Sequence, residues 1–261
     1  MFIFRRKGGI SAQALAKLIG CRCSKKEIPK GEFVINYGQK YEQANLNANV
    51  NFNKVQVQKI LENEGIRVPK MFNKEMSISK KEYPLLARKN YHSKGRDILF
   101  VKTESDLRKI DGSQYDYLVK YIDKNKEYRV HILGKYKAIV NVKITKKEDK
   151  ANEIVRSHDN GWIQVEYTGE FKQKLIEIAK NVLNVLKYDF GAIDIILGKD
   201  GYFYVLEINS APGLEDRKLQ IYADYFKYEE EKFRGKKQVK NQGTIKNKEY
   251  INNQGEYAWK G

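Results

Sequence analysis

Two periods alternate along this chain. "SAQALAKLIG" (11–20) places its apolar residues at helical spacing and stops at Gly20, a helix-end signal. "EFVINYG" (32–38) reads as a short strand. The polar, Asn-rich stretch "YEQANLNANVNFN" connects this beginning to "NKVQVQKILENEGIRVPKMF". There the pattern predicts a helix halted at Gly65, then extended chain in which Pro69 excludes more helix. "PLLARK" and "DILFVK" are strand-like runs around the polar turn "NYHSKGR", a β-hairpin pattern, and "SDLRKI" reads as a short capped helix. "DYLVKYI", "YRVHILG" and "KAIVNVKIT" are three further strands. "FKQKLIEIAKNVLNVLK" predicts an amphipathic helix with Leu175, Ile178, Ala179, Val182 and Leu186 on one face. "FGAIDIIL" and "YFYVLEIN" follow as strands joined at Lys199-Asp200-Gly201, and Asp-Gly is a hairpin signal. From Lys227 the periodicity fades into Lys, Gln, Asn and Gly, which predicts a weakly structured basic tail over 227–261, tied down by Tyr250, Tyr257 and Trp259.

These elements divide the chain into a small βα-type lobe (1–50), a central lobe (51–115), a C-terminal lobe (116–226) and the tail. Length and a hydrophobic content of 41% suit a folded protein with a real core. No apolar run approaches the ~20 residues of a membrane span, and the N-terminus lacks a signal-peptide pattern, so a cytoplasmic protein is expected. Cys21 and Cys23 are too few for a disulfide framework and read as ordinary thiols. The net charge of +17 attracts phosphate-bearing or acidic partners, and with 18 tyrosines it leaves nucleic acid open though not favoured. The basic residues are spread among acids, so charge alone selects no partner.

Chemistry concentrates in the last two strands. A turn centred near residue 200 or 201 pairs Asp194 with a residue close to Glu207, and Glu207 and Asn209 share a face because strand side chains alternate. Three oxygen ligands then converge on one face of a hairpin. Such hard ligands suit Mg²⁺, which takes one or two carboxylates plus substrate phosphates.

Asp194, Glu207-x-Asn209 thirteen residues on, and the small-residue loop "SAPGL" together resemble the metal signature of the ATP-grasp superfamily. The resemblance covers about residues 50–215. "SHDNGW" (Ser157–Trp162) brings it nearer to small ATP-grasp proteins of bacteriophage and bacterial genomes. D-alanine–D-alanine ligase and the glutamate ligases of ribosomal proteins are more distant. It implies an α+β fold in which two lobes hold ATP between them, preceded by a small α/β-type lobe. If the chain is phage-encoded, the compartment is the host cytoplasm.

The resemblance also implies roles. Asp194, Glu207 and Asn209 would hold Mg²⁺, with Mn²⁺ as an alternative. Lys54 would reach the nucleotide phosphates; Arg88, with Lys89 as rival, stands where a phosphate-binding lysine is usual. "HSKGR" (His92–Arg96), with Ser93, Lys94 and Gly95, would close over the phosphates. The backbone of Lys120, Tyr121 and Ile122 would bond the adenine edge and Glu127 the ribose. Arg129 and Lys143 would hold the transferred phosphoryl group, and Arg156, His158 and Asn160 are candidates for substrate contact. The implied activity is ATP-dependent ligation of a carboxylate donor to an amine or thiol acceptor, through an acyl-phosphate. An acidic peptide or protein is one candidate substrate. A kinase using the same metal site and a basic nucleic-acid-binding or structural protein are the alternatives.

Overall fold

Three sheets organise the chain. The computed structural model describes residues 1–6, 9–26, 28, 30–74, 76–90, 98–145, 152–156 and 158–248, with backbone alone for 158 and for 236–248. In the N-terminal lobe, β1 (Phe2–Arg5), β2 (Arg22–Ser24) and β3 (Val34–Tyr37) form a parallel sheet in the order β2-β1-β3, and α1 (Ile10–Ile19) crosses between β1 and β2. α1 ends at Gly20, whose φ of 80° is a left-handed conformation that glycine adopts without strain.

The central sheet is antiparallel, in the order β4 (Met71–Phe72), β7 (Tyr117–Lys120), β5 (Leu85–Arg88), β6 (Leu99–Val101). Between β6 and β7 lies α3 (Glu104–Lys109), opened by a capping box of Thr103 and Asp106. β7 inserts between β4 and β5, so the division from the C-terminal lobe falls after Lys120 rather than at 115.

The C-terminal sheet is antiparallel with the order β10 (Trp162–Glu166), β9 (Lys137–Thr145), β8 (Lys124–Leu133), β11 (Phe190–Gly198), β12 (Phe203–Asn209). One face is apolar: Tyr128, Val130, Ile132, Ile193, Ile195 and Val205 pack against α4 (Lys172–Leu186) and against Val57 and Leu61 of α2 (Lys54–Asn63). α2 was expected in the central lobe, but its buried side chains belong to this core. That packing leaves the other face of the sheet for chemistry.

The expected weak structure is corrected for residues 227–248. A single helix, α5, runs from Asp216 to Lys248. Tyr222, Ala223 and Phe226 are buried with Phe190 and Tyr37, and Phe233 packs on Phe33 at 5.4 Å between ring centroids. Leu219, Tyr222, Ala223 and Phe226 stand at i, i+3, i+4 and i+7, a helical stripe that dense flanking charge obscures in the sequence. Tyr250, Tyr257 and Trp259 lie outside the described residues.

Candidate active site

A β-bulge sets the geometry of the carboxylates. Asp194 pairs with Glu207 while the next residue, Ile195, pairs with Val205, so Leu206 is the extra residue of β12. The Leu206 carbonyl accepts from Gln58 Nε2 at 2.9 Å, which ties the bulge to α2. The same helix begins at Lys54, after Asn53 caps it by accepting from the Gln56 amide at 3.1 Å. Lys54 Nζ therefore meets Glu207 Oε2 at 3.2 Å. Arg88, on β5 of the central sheet, approaches the same oxygen at 4.0 Å; among the described residues Lys89 makes no such contact. Asn209 Nδ2 donates to Glu207 Oε1 at 3.3 Å.

Each expected anion of the cleft is neutralised by an expected cation. Arg129 Nε and Nη2 donate to the two oxygens of Asp194 at 2.6 Å each, a bidentate pair. Burial alone would raise the Asp194 carboxyl, but Arg129 holds it below the usual carboxylate range. Glu207 is pushed up by burial and by the Asp194 charge, and Lys54 and Arg88 outweigh both. Glu127, only 5% exposed, receives Lys143 on one oxygen and Lys124 at 3.3 Å on the other. Lys143 also donates to the Arg156 carbonyl at 2.7 Å, and Lys124 to the Ile154 carbonyl at 2.9 Å. Burial lowers the Lys124 ammonium, with Glu127 opposing.

Register aligns a polar row across the whole sheet. Glu166 of β10 pairs with Asn141 of β9, Asn141 with Arg129 of β8, Arg129 with Asp194 of β11, and Asp194 with Glu207 of β12. Lys124, Asn141 and Glu166 were not singled out from the sequence. Alternation of Asn141 with Lys143 along β9 was the available signal.

Other expected residues are placed differently. The Lys120 and Tyr121 N–H groups donate to the Lys70 and Pro84 carbonyls at 2.8 and 3.0 Å, so of the backbone expected to face adenine these two donors are taken within the protein. The Lys120 ammonium is occupied by the carbonyls of Lys81, Glu82 and Tyr83. A cavity of about 380 Å³ opens beside this hinge, bounded by Lys70, Lys120, Tyr121, Ile122, Asp200 and Tyr204. Arg156 lies over Trp162 at 4.3 Å, donates to Glu153 at 2.7 Å and is 8% exposed, so its guanidinium braces the loop. Asn160 donates to the Val155 carbonyl at 2.8 Å within the same segment. His92–Arg96 (Ser93, Lys94 and Gly95 among them), Ser157 and the side chain of His158 lie outside the described residues. Cys21 and Cys23 are free and half-buried, and burial pushes the Cys21 thiol up to about 11.

The N-terminal lobe docks on the loop after Asn209. Tyr37 Oη donates to the Pro212 carbonyl at 2.6 Å, and the Leu214 amide donates to Ser11 Oγ at 2.9 Å. At Gly38 a Cβ would lie 2.6 Å from Ala211 Cβ, and its φ is +80°, so both contact and conformation require glycine.

The donor set fits a hard divalent cation: two carboxylates in register with a carboxamide two residues on. Among the described residues no group of three His, Cys, Asp or Glu side chains offers a competing site. No described helix is long and apolar enough to cross a membrane.

Residues 51–225 match the RimK-like ATP-grasp domain. No protein of curated function matches the chain by sequence. In solved structures, D-alanine–D-alanine ligase from Bacillus anthracis is 17% identical, with TM-score 0.64 over 90% of this chain and 98% of that one. The ATP-grasp ligase PsnB, solved with a minimal precursor, Mg and ADP, is 8% identical with TM-score 0.63 over 87% and 96%. The macrocyclase MdnC, bound to precursor peptide MdnA from Microcystis aeruginosa, is 12% identical with TM-score 0.56 over 86% and 98%. At these identities the neighbours speak for the fold, and the domain match speaks for the family: this chain belongs to the RimK-like ATP-grasp family of ATP-dependent ligases.

Proposed function

We propose that the protein joins a carboxylate to an amine by way of an acyl-phosphate, with ATP as phosphoryl donor and Mg²⁺ held by Asp194, Glu207 and Asn209. The observation that carries this reading is the in-register Asp194–Glu207 pair, ringed by Arg129, Lys54 and Arg88. When bound, the cation neutralises phosphate oxygens. Arg129, Lys54, Arg88 and Lys143 would offset the charge that develops on the transferred group once nucleotide draws them from their carboxylate partners. Glu127 would accept the ribose hydroxyls once Lys143 turns to phosphate. PsnB and MdnC are described with precursor peptides, which supports a peptide or protein as the substrate here too.

The test is release of ADP and phosphate from Mg²⁺-ATP across a panel of amino acids, peptides and cell extract, with mass spectrometry of the products. The reading expects equal amounts of ADP and free phosphate and a product heavier by the acceptor minus water. A phosphorylated product with no free phosphate would assign a kinase instead.

A further inference from the structure

Asn141 stands in the middle of the polar row, 5% exposed, and its buried Oδ1 has no hydrogen-bond partner. A buried polar group without a partner destabilises a fold, and β9 would lose nothing of its pairing with an apolar residue there. Its neighbours in register are Arg129, engaged on both sides of Asp194, and Glu166, on the edge strand. Among the described residues Glu166 has one ion pair, to Arg217 at 3.1 Å, and both partners are half exposed or more. The row thus runs from the metal carboxylates through a cation to an amide oxygen and a carboxylate. Its far end offers acceptors to an N–H donor.

We propose that Asn141 binds the attacking amine, with Glu166 supplying the negative charge that draws a cationic amine to that end of the row. The inference rests on the ligase reading above and names its acceptor class: an amine arriving over β9 and β10. Asn141 Oδ1 takes one N–H of the neutral amine. That contact would hold the nitrogen beside Arg129, the register neighbour of Asn141, with its lone pair free to attack the acyl carbon. The C–N bond forms as the C–O bond to phosphate breaks. Phosphate leaves with that electron pair, and the surplus proton passes to water. Asn141 is a substrate-binding residue in this scheme.

The experiment compares wild type with Asn141→Val and Asn141→Thr, which share a shape and differ by one hydroxyl. The amine probe is hydroxylamine, trapped as a hydroxamate, with Mg²⁺-ATP saturating and with each amino acid, peptide and cell extract of the panel above in turn as carboxylate source. The expected result is an unfolding midpoint for Asn141→Val equal to or above wild type, unchanged binding of a fluorescent ATP analogue, and a KM for hydroxylamine raised about tenfold, the size of one hydrogen bond to a ligand. Asn141→Thr should recover part of that loss. A lowered midpoint in Asn141→Val would make Asn141 a structural residue and overturn the proposal. So would weakened nucleotide binding, or an unchanged KM. A wild type that makes no hydroxamate and no amine-dependent ADP from any donor defeats the ligase reading itself, an outcome distinct from those three.

Discussion

Lys143 donates to Glu127 from the neighbouring strand, so the phosphate-side cation and the ribose-side carboxylate of the proposed site are each other's partner. Lys124 holds the second oxygen of Glu127, which keeps that carboxylate neutralised even when Lys143 departs. Lys143→Met should therefore leave the fold intact. It should lower kcat/KM for ATP by roughly tenfold to a hundredfold, the range for one charge-assisted contact. Steady-state kinetics beside a thermal melt checks both halves, and a collapsed fold with normal kinetics in the survivors would contradict the assignment.

Glu207→Gln removes one charge of the proposed metal site and keeps the shape. Turnover should fall by about a hundredfold or more, on the scale of losing one preorganised electrostatic contact in a reaction site. The bulge at Leu206 and its tie to Gln58 do not depend on the carboxylate, so circular dichroism should be unchanged. Wild-type turnover in this variant would sink the metal assignment.

His131 is 1% exposed and meets Tyr222 Oη at 3.1 Å through Nδ1. Burial, with the Arg129 and Lys218 charges adding and Asp194 opposing, pushes its imidazole down to about 3. The unfolded chain binds that proton near pH 6.5. The neutral ring thus contributes its full stability above that pH and loses it as pH falls toward the folded value. Urea unfolding of wild type should weaken by about 1.4 kcal/mol per pH unit between roughly pH 6 and 4 from this group. His131→Leu should flatten that part of the profile; an unchanged slope would show that His131 is not its source.

Truncation after Phe226 removes Phe233 from Phe33 and Glu230 from the Met1 ammonium, which it meets at 2.9 Å. Neither contact touches the carboxylate row. Stability should drop by about 2 kcal/mol, as for loss of a partly buried aromatic, while nucleotide affinity stays within about twofold. Titration with ATP before and after truncation separates the two effects.

Sequence pattern was most legible where chemistry and turn geometry coincide. Asp200-Gly201 placed Asp194 near Glu207, and the remaining offset of one residue came from the bulge at Leu206, which depends on packing against α2. The amphipathic α4 was readable because five apolar residues share one stripe. By contrast, α5 carries its stripe among charges, and β10, only five residues long, follows a segment with no period. Asn141 was not singled out, because only the sheet order puts Arg129 and Glu166 beside it. That the Lys120 and Tyr121 N–H groups bond within the protein was not readable, because it follows from β7 lying between β4 and β5.

The paired charges of the cleft make nucleotide capture an exchange and not an addition. In the proposed site, phosphate would take Lys54, Arg88 and Lys143 from carboxylates that would pass to a metal ion and a sugar, so the count of charge pairs would scarcely change. Few counterions are set free in such a trade, so affinity for Mg²⁺-ATP should depend on ionic strength far less than a net charge of +17 suggests. The net charge of +17 would then act mainly at longer range, in steering an anionic partner toward the protein.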